Sequence, residues 1–220
     1  MHYDTVVFDN DGVLVGRTSY DVLEQAIEDT FEQFDVTDPD PDHVEGMTIG
    51  ATPDSVTTVC DRYGLDPSEF FAARDRTLTR AQQIEIRTGR KDLYDDIHEL
   101  RDLDVPMGVV SSNQQATVDF ALEHLGVADL FDTAYGREPT IESLRRRKPN
   151  SHYIDRTIAD IGCDPDSVLF VGDNESDVLA AENAGIDSAF IRRPHRRDWD
   201  LNVWPTWEID GLGDLHELCV

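Results

Sequence analysis

Eight residues in four short stretches are of types that could act together. FDNDGVL (8–14) sets Asp9 and Asp11 at the end of an apolar run, with Gly12 to release the turn, and VVSSN (109–113) closes a second run on Ser111, Ser112 and Asn113. KPN (148–150) offers Lys148, and VGDNESD (171–177) offers Asp173 and Asp177. A carboxylate at a buried strand end is costly unless something pairs with it. Four in one crevice would repel one another, and a divalent cation removes that conflict; hard oxygen ligands with room for water suit Mg²⁺. A D-x-D triplet alone says little here, because others stand at 38–40, 102–104, 164–166 and 198–200. Only Asp9 and Asp11 end a buried strand and precede a glycine able to turn sharply. Lys148 closes the basic run RRRK, where, taken alone, a solvent-exposed lysine is the more ordinary reading.

The elements that must position these residues follow from periodicity. Residues 5–9 form a continuous β-branched run and predict a buried strand. From about 19 to 86 the rhythm is helical: Val22, Ala26, Ile27, Phe31 and Phe34 share one face. Thr52-Pro53 and Asp66-Pro67 mark helix starts, with Glu69 placed to complete a capping box on Asp66. Beyond residue 90, strands in PMGVVS, LFDTAYG, SVLFVGD, DSAFIRR and TWEI alternate with helices in DLYDDIHELRDL, TVDFALEHLG, SHYIDRTIADIG, DVLAAENAG and LGDLHEL. That alternation predicts an α/β fold with a doubly wound parallel sheet and right-handed crossovers. The expected organisation is a core of residues 1–15 and 87–220 with an all-helical cap, 16–86, inserted after the first strand. Ligands of such sheets bind beyond the carboxyl ends of the strands, where Asp9, Ser111 and Asp173 would stand.

Composition narrows the partners. The chain has 220 residues with 46 acidic against 19 basic, a net charge of -27, and a pI near 4.3. So acidic a surface argues against a nucleic-acid backbone as partner. With only two lysines, Lys91 and Lys148, it points to a halophilic protein for a cytosol of molar salt, where the Debye length is about 3 Å. No apolar run is long enough to span a bilayer, and the first residues lack a basic flank, so the cytoplasm is the expected compartment. Cys60, Cys163 and Cys219 fit no metal or disulfide pattern and are expected to be buried free thiols. The seven histidines show no zinc spacing.

In order and spacing, FDNDGVL, VVSSN, KPN and VGDNESD resemble the four motifs of the haloacid dehalogenase superfamily of phosphohydrolases, in the helical-cap branch of phosphoglycolate phosphatase and β-phosphoglucomutase. The resemblance implies an enzyme in which Asp9 is the nucleophile and Asp11 the acid and base. Ser111 would donate to the phosphoryl group, and Lys148 would neutralise charge. Mg²⁺ would be held by Asp9, the Asp11 carbonyl, Asp173 and Asp177. Ser112, Asn113 and Arg17 are the candidate substrate contacts. Asn10 departs from the family's apolar or aromatic residue, which touches packing and leaves the chemistry intact.

The implied substrate is a small phosphorylated metabolite of phosphoglycolate, sugar-phosphate or nucleotide type, acted on by a monomer or homodimer. A phosphomutase shares all these motifs. A phospho-accepting receiver domain shares the acid pair, hydroxyl and lysine, but not the later GDNESD. Substrate choice is assigned to the cap, with Arg80, Arg137 and the run Arg145, Arg146, Arg147 as further cations, most of them expected to pair with surface acids.

Overall fold

The computed structural model describes residues 2–219. Six strands form one sheet: β1 (Thr5–Phe8), β2 (Met107–Gln114), β3 (Thr133–Arg137), β4 (Val168–Gly172), β5 (Asp187–Ile191) and β6 (Trp207–Ile209). Their order is β3-β2-β1-β4-β5-β6 and every neighbouring pair is parallel. Strand order therefore reverses between β1 and β4, which opens a crevice beyond their carboxyl ends. Side chains alternate across the sheet. Val6, Phe8, Val109, Leu169 and Val171 enter the core on one face. On the other, Val7, Val110 and Phe170 pack on Tyr153, Ile154, Ala180 and Ala181, from α6 (His152–Ile161) and α7 (Glu175–Ala184).

Between β1 and β2 lie α1 (Tyr20–Glu32), α2 (Pro41–Thr48), α3 (Pro53–Tyr63) and α4 (Pro67–Arg87), and α5 (Gln115–His124) follows β2. The four inserted helices enclose their own apolar cluster around Ile27, Phe31, Met47, Val56, Phe70 and Phe71, joined from the sheet side by Leu144. Their starts follow from capping. Thr52 and Ser55 form a reciprocal capping box, and Asp66 accepts from the N–H groups of Ser68 and Glu69. No return bond from the Glu69 side chain accompanies that cap, so the expected second box is one-sided.

Two of the expected helices are of the 3₁₀ type, over Asp95–Asp102 and Leu212–Glu217. Ile97, Leu100 and Leu103, and likewise Leu212, Leu215 and Leu218, recur every three residues and face the same core cluster. Spacing of three is the period of the tighter helix. Among the cysteines, Cys60 and Cys219 are buried and free, whereas Cys163 is only half-buried.

Candidate active site

Asp9 follows β1, Asp173 follows β4, and Asp177 lies in the first turn of α7. One carboxylate oxygen from each lies within 4.8 Å of the others. Lys148, from the loop before α6, is 2.7 Å from Asp9 Oδ1 and 2.7 Å from Asp177 Oδ1, and donates to the Val110 carbonyl at 3.2 Å. It is buried, which excludes the solvent-exposed reading of RRRK. Asp177 Oδ2 accepts the N–H groups of Asp173 and Asn174 at 3.1 and 3.0 Å. One carboxylate thus fixes both the lysine and the loop. Gly12 has φ +91°, and a Cβ there would stand 2.5 Å from Asp173 Oδ2; at Gly172 one would stand 2.2 Å from the Asp177 Cβ.

Burial, with Asp177 and Asp173 nearby, pushes the Asp9 carboxyl well above the usual range despite Lys148. Burial and Asp173 likewise raise Asp177 against the pull of Lys148. Burial disfavours the Lys148 charge as well, but Asp177 and Asp9 outweigh it, so the ammonium is held charged. Three carboxylates against the Lys148 ammonium and, at Asp173, the Arg196 guanidinium still leave a formal surplus of negative charge on an all-oxygen donor set. Such a set fits a hard divalent cation.

Asp11 sends its side chain elsewhere. Its Oδ1 pairs with Lys91, and its Oδ2 accepts from Asn113 Nδ2 at 3.1 Å and Asn10 Nδ2 at 3.3 Å. Burial would raise this carboxyl, yet Lys91, Asn113 and Asn10 together hold it below its ordinary value. Its carboxylate is outside the acid cluster. Gln82 of α4 accepts from Lys91 Nζ at 3.1 Å and from Asn113 Nδ2 at 2.7 Å, so the inserted helices reach the partners of Asp11. Ser111 is buried and its Oγ accepts the Asn113 N–H at 3.1 Å. The β2–β3 register shifts between Val110 and Gln114, an irregularity of the kind that re-aims side chains beside sites. Asn10 is fully buried, and its Oδ1 has no partner among the described residues.

Asp9, Asp11, Gln82, Ser111, Asn113, Lys148, Asp173 and Asp177 line one cavity of about 360 Å³, together with Ser112, Arg17, Arg74, Arg137, Arg147 and Arg196. Arg17 is on this wall and exposed. Arg80 is not: it lines a groove beside Thr77 and Ile84. Arg145 pairs with Glu142 and Asp54, and Arg146 with Glu138, at the surface.

Sequence reasoning missed Lys91, Gln82, Arg74, His195 and Arg196. His195 Nε2 is 2.7 Å from Asp173 Oδ2, and Arg196 Nε is 3.4 Å from the same oxygen. A signal was available for the last two, since IRRPHRR is a basic run directly after a strand in an acidic chain. Lysine is so rare here that Lys91, just past the helical insertion, carried one as well.

With this geometry in place, the comparisons with known proteins are informative. A family profile described as haloacid dehalogenase-like hydrolase matches residues 6–191. The chain therefore belongs to the haloacid dehalogenase-like hydrolases, apart from the receiver domains considered above. Two relatives are each named Pyrophosphatase PpaX. One, from Bacillus velezensis, is 26% identical over 64% of this chain and 63% of its own length. The other, from Oceanobacillus iheyensis, is 24% identical over 87% of this chain and 84% of its own. Among solved structures, CbbY from Rhodobacter sphaeroides in complex with phosphate superposes with TM-score 0.70 at 14% identity, covering 97% of this chain and 96% of that one. YfnB from Bacillus subtilis, bound to magnesium, gives TM-score 0.63 at 17% identity over 99% and 98%. These likenesses show the shared fold. No helix among the described residues is long and apolar enough to cross a membrane.

Proposed function

We propose that the protein hydrolyses a small phosphorylated metabolite or pyrophosphate through a phosphorylated Asp9. The observation that carries this reading is Lys148 set 2.7 Å from both Asp9 and Asp177, with Asp173 in the same cluster at the sheet's switch point. An Asp9 oxygen forms a bond to phosphorus as the bond from phosphorus to the leaving oxygen breaks, and that oxygen takes a proton from Asp11. Water then attacks the same phosphorus, Asp11 accepts its proton, and phosphate leaves with Asp9 restored. Lys91 and Asn113 hold Asp11 in the ionised form that suits the second step. For the first it must gain a proton and give up those contacts.

Lys148 orients Asp9 and offsets phosphoryl charge, while the Ser111 hydroxyl donates to a phosphoryl oxygen. Asp9, Asp173, Asp177 and the Asp11 carbonyl would hold Mg²⁺, which would supply charge neutralisation when bound. The oxygen-only donor set supports that assignment, as does the magnesium in the YfnB structure. Residues 16–86 act as the cap over this crevice.

The test is phosphate release from a panel of phosphorylated metabolites and pyrophosphate, with Mg²⁺ at low and at molar KCl. Release by the wild type and none by Asp9→Asn is the expected result. Equal release by both sinks the proposal.

A further inference from the structure

Arginines gather on the cavity wall in a way that the reaction at Asp9 does not use. Arg137, at the end of β3, donates to Asp75 through Nη1 and Nη2, each at 2.6 Å. Arg74, one residue before Asp75 on α4, donates Nη1 to it at 2.9 Å and Nε to the Met47 carbonyl at 2.7 Å. Both guanidiniums lie over the Phe71 ring, 5.5 and 5.2 Å from its centre. Arg74 and Arg137 are 5% and 3% exposed, respectively.

The third cation is Arg147. It is half-buried, lines the same cavity and has no carboxylate partner among the described residues, unlike Arg145 and Arg146 beside it. Their proximity shows in their acidities. Burial, with Arg137 and Arg147 close by, brings Arg74 down to about 10 although Asp75 opposes it. Burial and Arg137 lower Arg147.

Three guanidiniums therefore line the cavity and one carboxylate, Asp75, pairs with only two of them, in a chain with 46 acidic residues that could have supplied more. A buried cation without a partner is costly, and a planar guanidinium fork matches a carboxylate or phosphoryl group. We infer that Arg74, Arg137 and Arg147 form a subsite for a second anionic group of the substrate, a carboxylate or a second phosphoryl carried beside the one transferred to Asp9. Arg147 is the contact with a free fork. Asp75 positions the other two. This inference rests on the proposed hydrolysis and adds the substrate class.

The test compares kcat/KM for pyrophosphate, phosphoglycolate and ethyl phosphate, whose tails are phosphoryl, carboxylate and neutral, in the full-length protein with Mg²⁺. The wild type prefers at least one anionic tail, and which one identifies the second group. Arg147→Gln cuts that preference about tenfold to a hundredfold, mainly through KM, the size expected for a charge-assisted fork. Arg147→Lys restores part of it, and the surface variant Arg145→Gln leaves it unaltered. Equal use of all three substrates by the wild type, or a proportionate loss on all three in Arg147→Gln, overturns the subsite while leaving hydrolysis standing. Calorimetric binding of pyrophosphate and of phosphoglycolate in the Asp9→Asn background reads the subsite without turnover. Affinity about tenfold weaker with Arg147→Gln supports it, and unchanged affinity for both overturns it.

Discussion

Two charge clusters border one cavity with opposite compositions. Near the strand ends, Asp9 and Asp177 hold the ammonium of Lys148, and Asp173, in the same cluster, meets His195 and Arg196. Elsewhere on the wall, Arg74 and Arg137 share the single carboxylate of Asp75, and Arg147 lines the same cavity without one among the described residues. The first cluster is built wholly by the sheet and the segments that follow its strands. The second straddles two layers, with Arg74 and Asp75 from α4 and Arg137 and Arg147 from the sheet side. In the first, carboxylates outnumber cations, and in the second, cations outnumber the carboxylate, so charge of one sign is left over in each. A surplus of that kind stabilises nothing by itself. It fits a cavity whose contents carry both signs, a cation at one end and anionic oxygen through the middle and the far end.

That contrast can be broken or sharpened by experiment, and the largest effect belongs to Asp9. Asp9→Asn should lose turnover while keeping its fold, because it removes one charge from a cluster of like charges; a variant that unfolds, or that still releases phosphate, would contradict the contrast. Asp75→Asn should do the opposite, costing about 3–5 kcal/mol of stability by leaving buried arginines unpaired. Chemical denaturation reads this directly, and a change below about 1 kcal/mol would mean the wall does not depend on Asp75. Next comes Ser111→Ala, expected to raise the barrier by roughly 3 kcal/mol, about a hundredfold in kcat; an effect as complete as that of Asp9→Asn would undo the distinction between donor and nucleophile.

Magnesium at about a hundred times its dissociation constant should stabilise the wild type by about 2.7 kcal/mol. Asp173→Asn should show much less of this in a thermal melt, and an equal gain in both would place the ion elsewhere. The smallest effect lies far from both clusters. Tyr3 donates to Asp187 at 2.7 Å, and burial with that carboxylate raises its phenol from 10.0 to about 12, although the Trp207 N–H pulls the other way. The folded state therefore favours the neutral phenol. This contribution is complete below pH 10 and is lost as pH rises toward 12. Tyr3→Phe should remove that slope relative to the wild type, leaving turnover at neutral pH unchanged.

How far the sequence reaches is clear from the same two clusters. Asp9, Ser111 and Asp173 were legible because each interrupts an apolar strand run, and a parallel sheet sends such positions to one edge. Lys148 was legible only in company, since its own neighbourhood reads as surface. Gln82 was not, because its partner Asn113 lies 31 residues away across the fold; Lys91 and His195 left only a compositional trace, which did not reveal partners 80 and 22 residues away, respectively. The arginine run shows the limit most sharply. Arg145, Arg146 and Arg147 are identical letters in sequence, and only their directions separate two surface ion pairs from one cavity contact. The helix type of the 3₁₀ segments was not legible for a simpler reason: apolar residues three apart satisfy either helix over so short a span.

Gly12 and Gly172 lend the acidic cluster its dimensions. At each, one missing methyl group admits a carboxylate, or the stem that carries it, closer than any larger residue could. The spacing of Asp173 and Asp177 is thus set by backbone thickness rather than by side-chain choice. Alanine at either place would leave every functional group present and spread them apart, like a wrench of the right steel with its jaws set one size too wide.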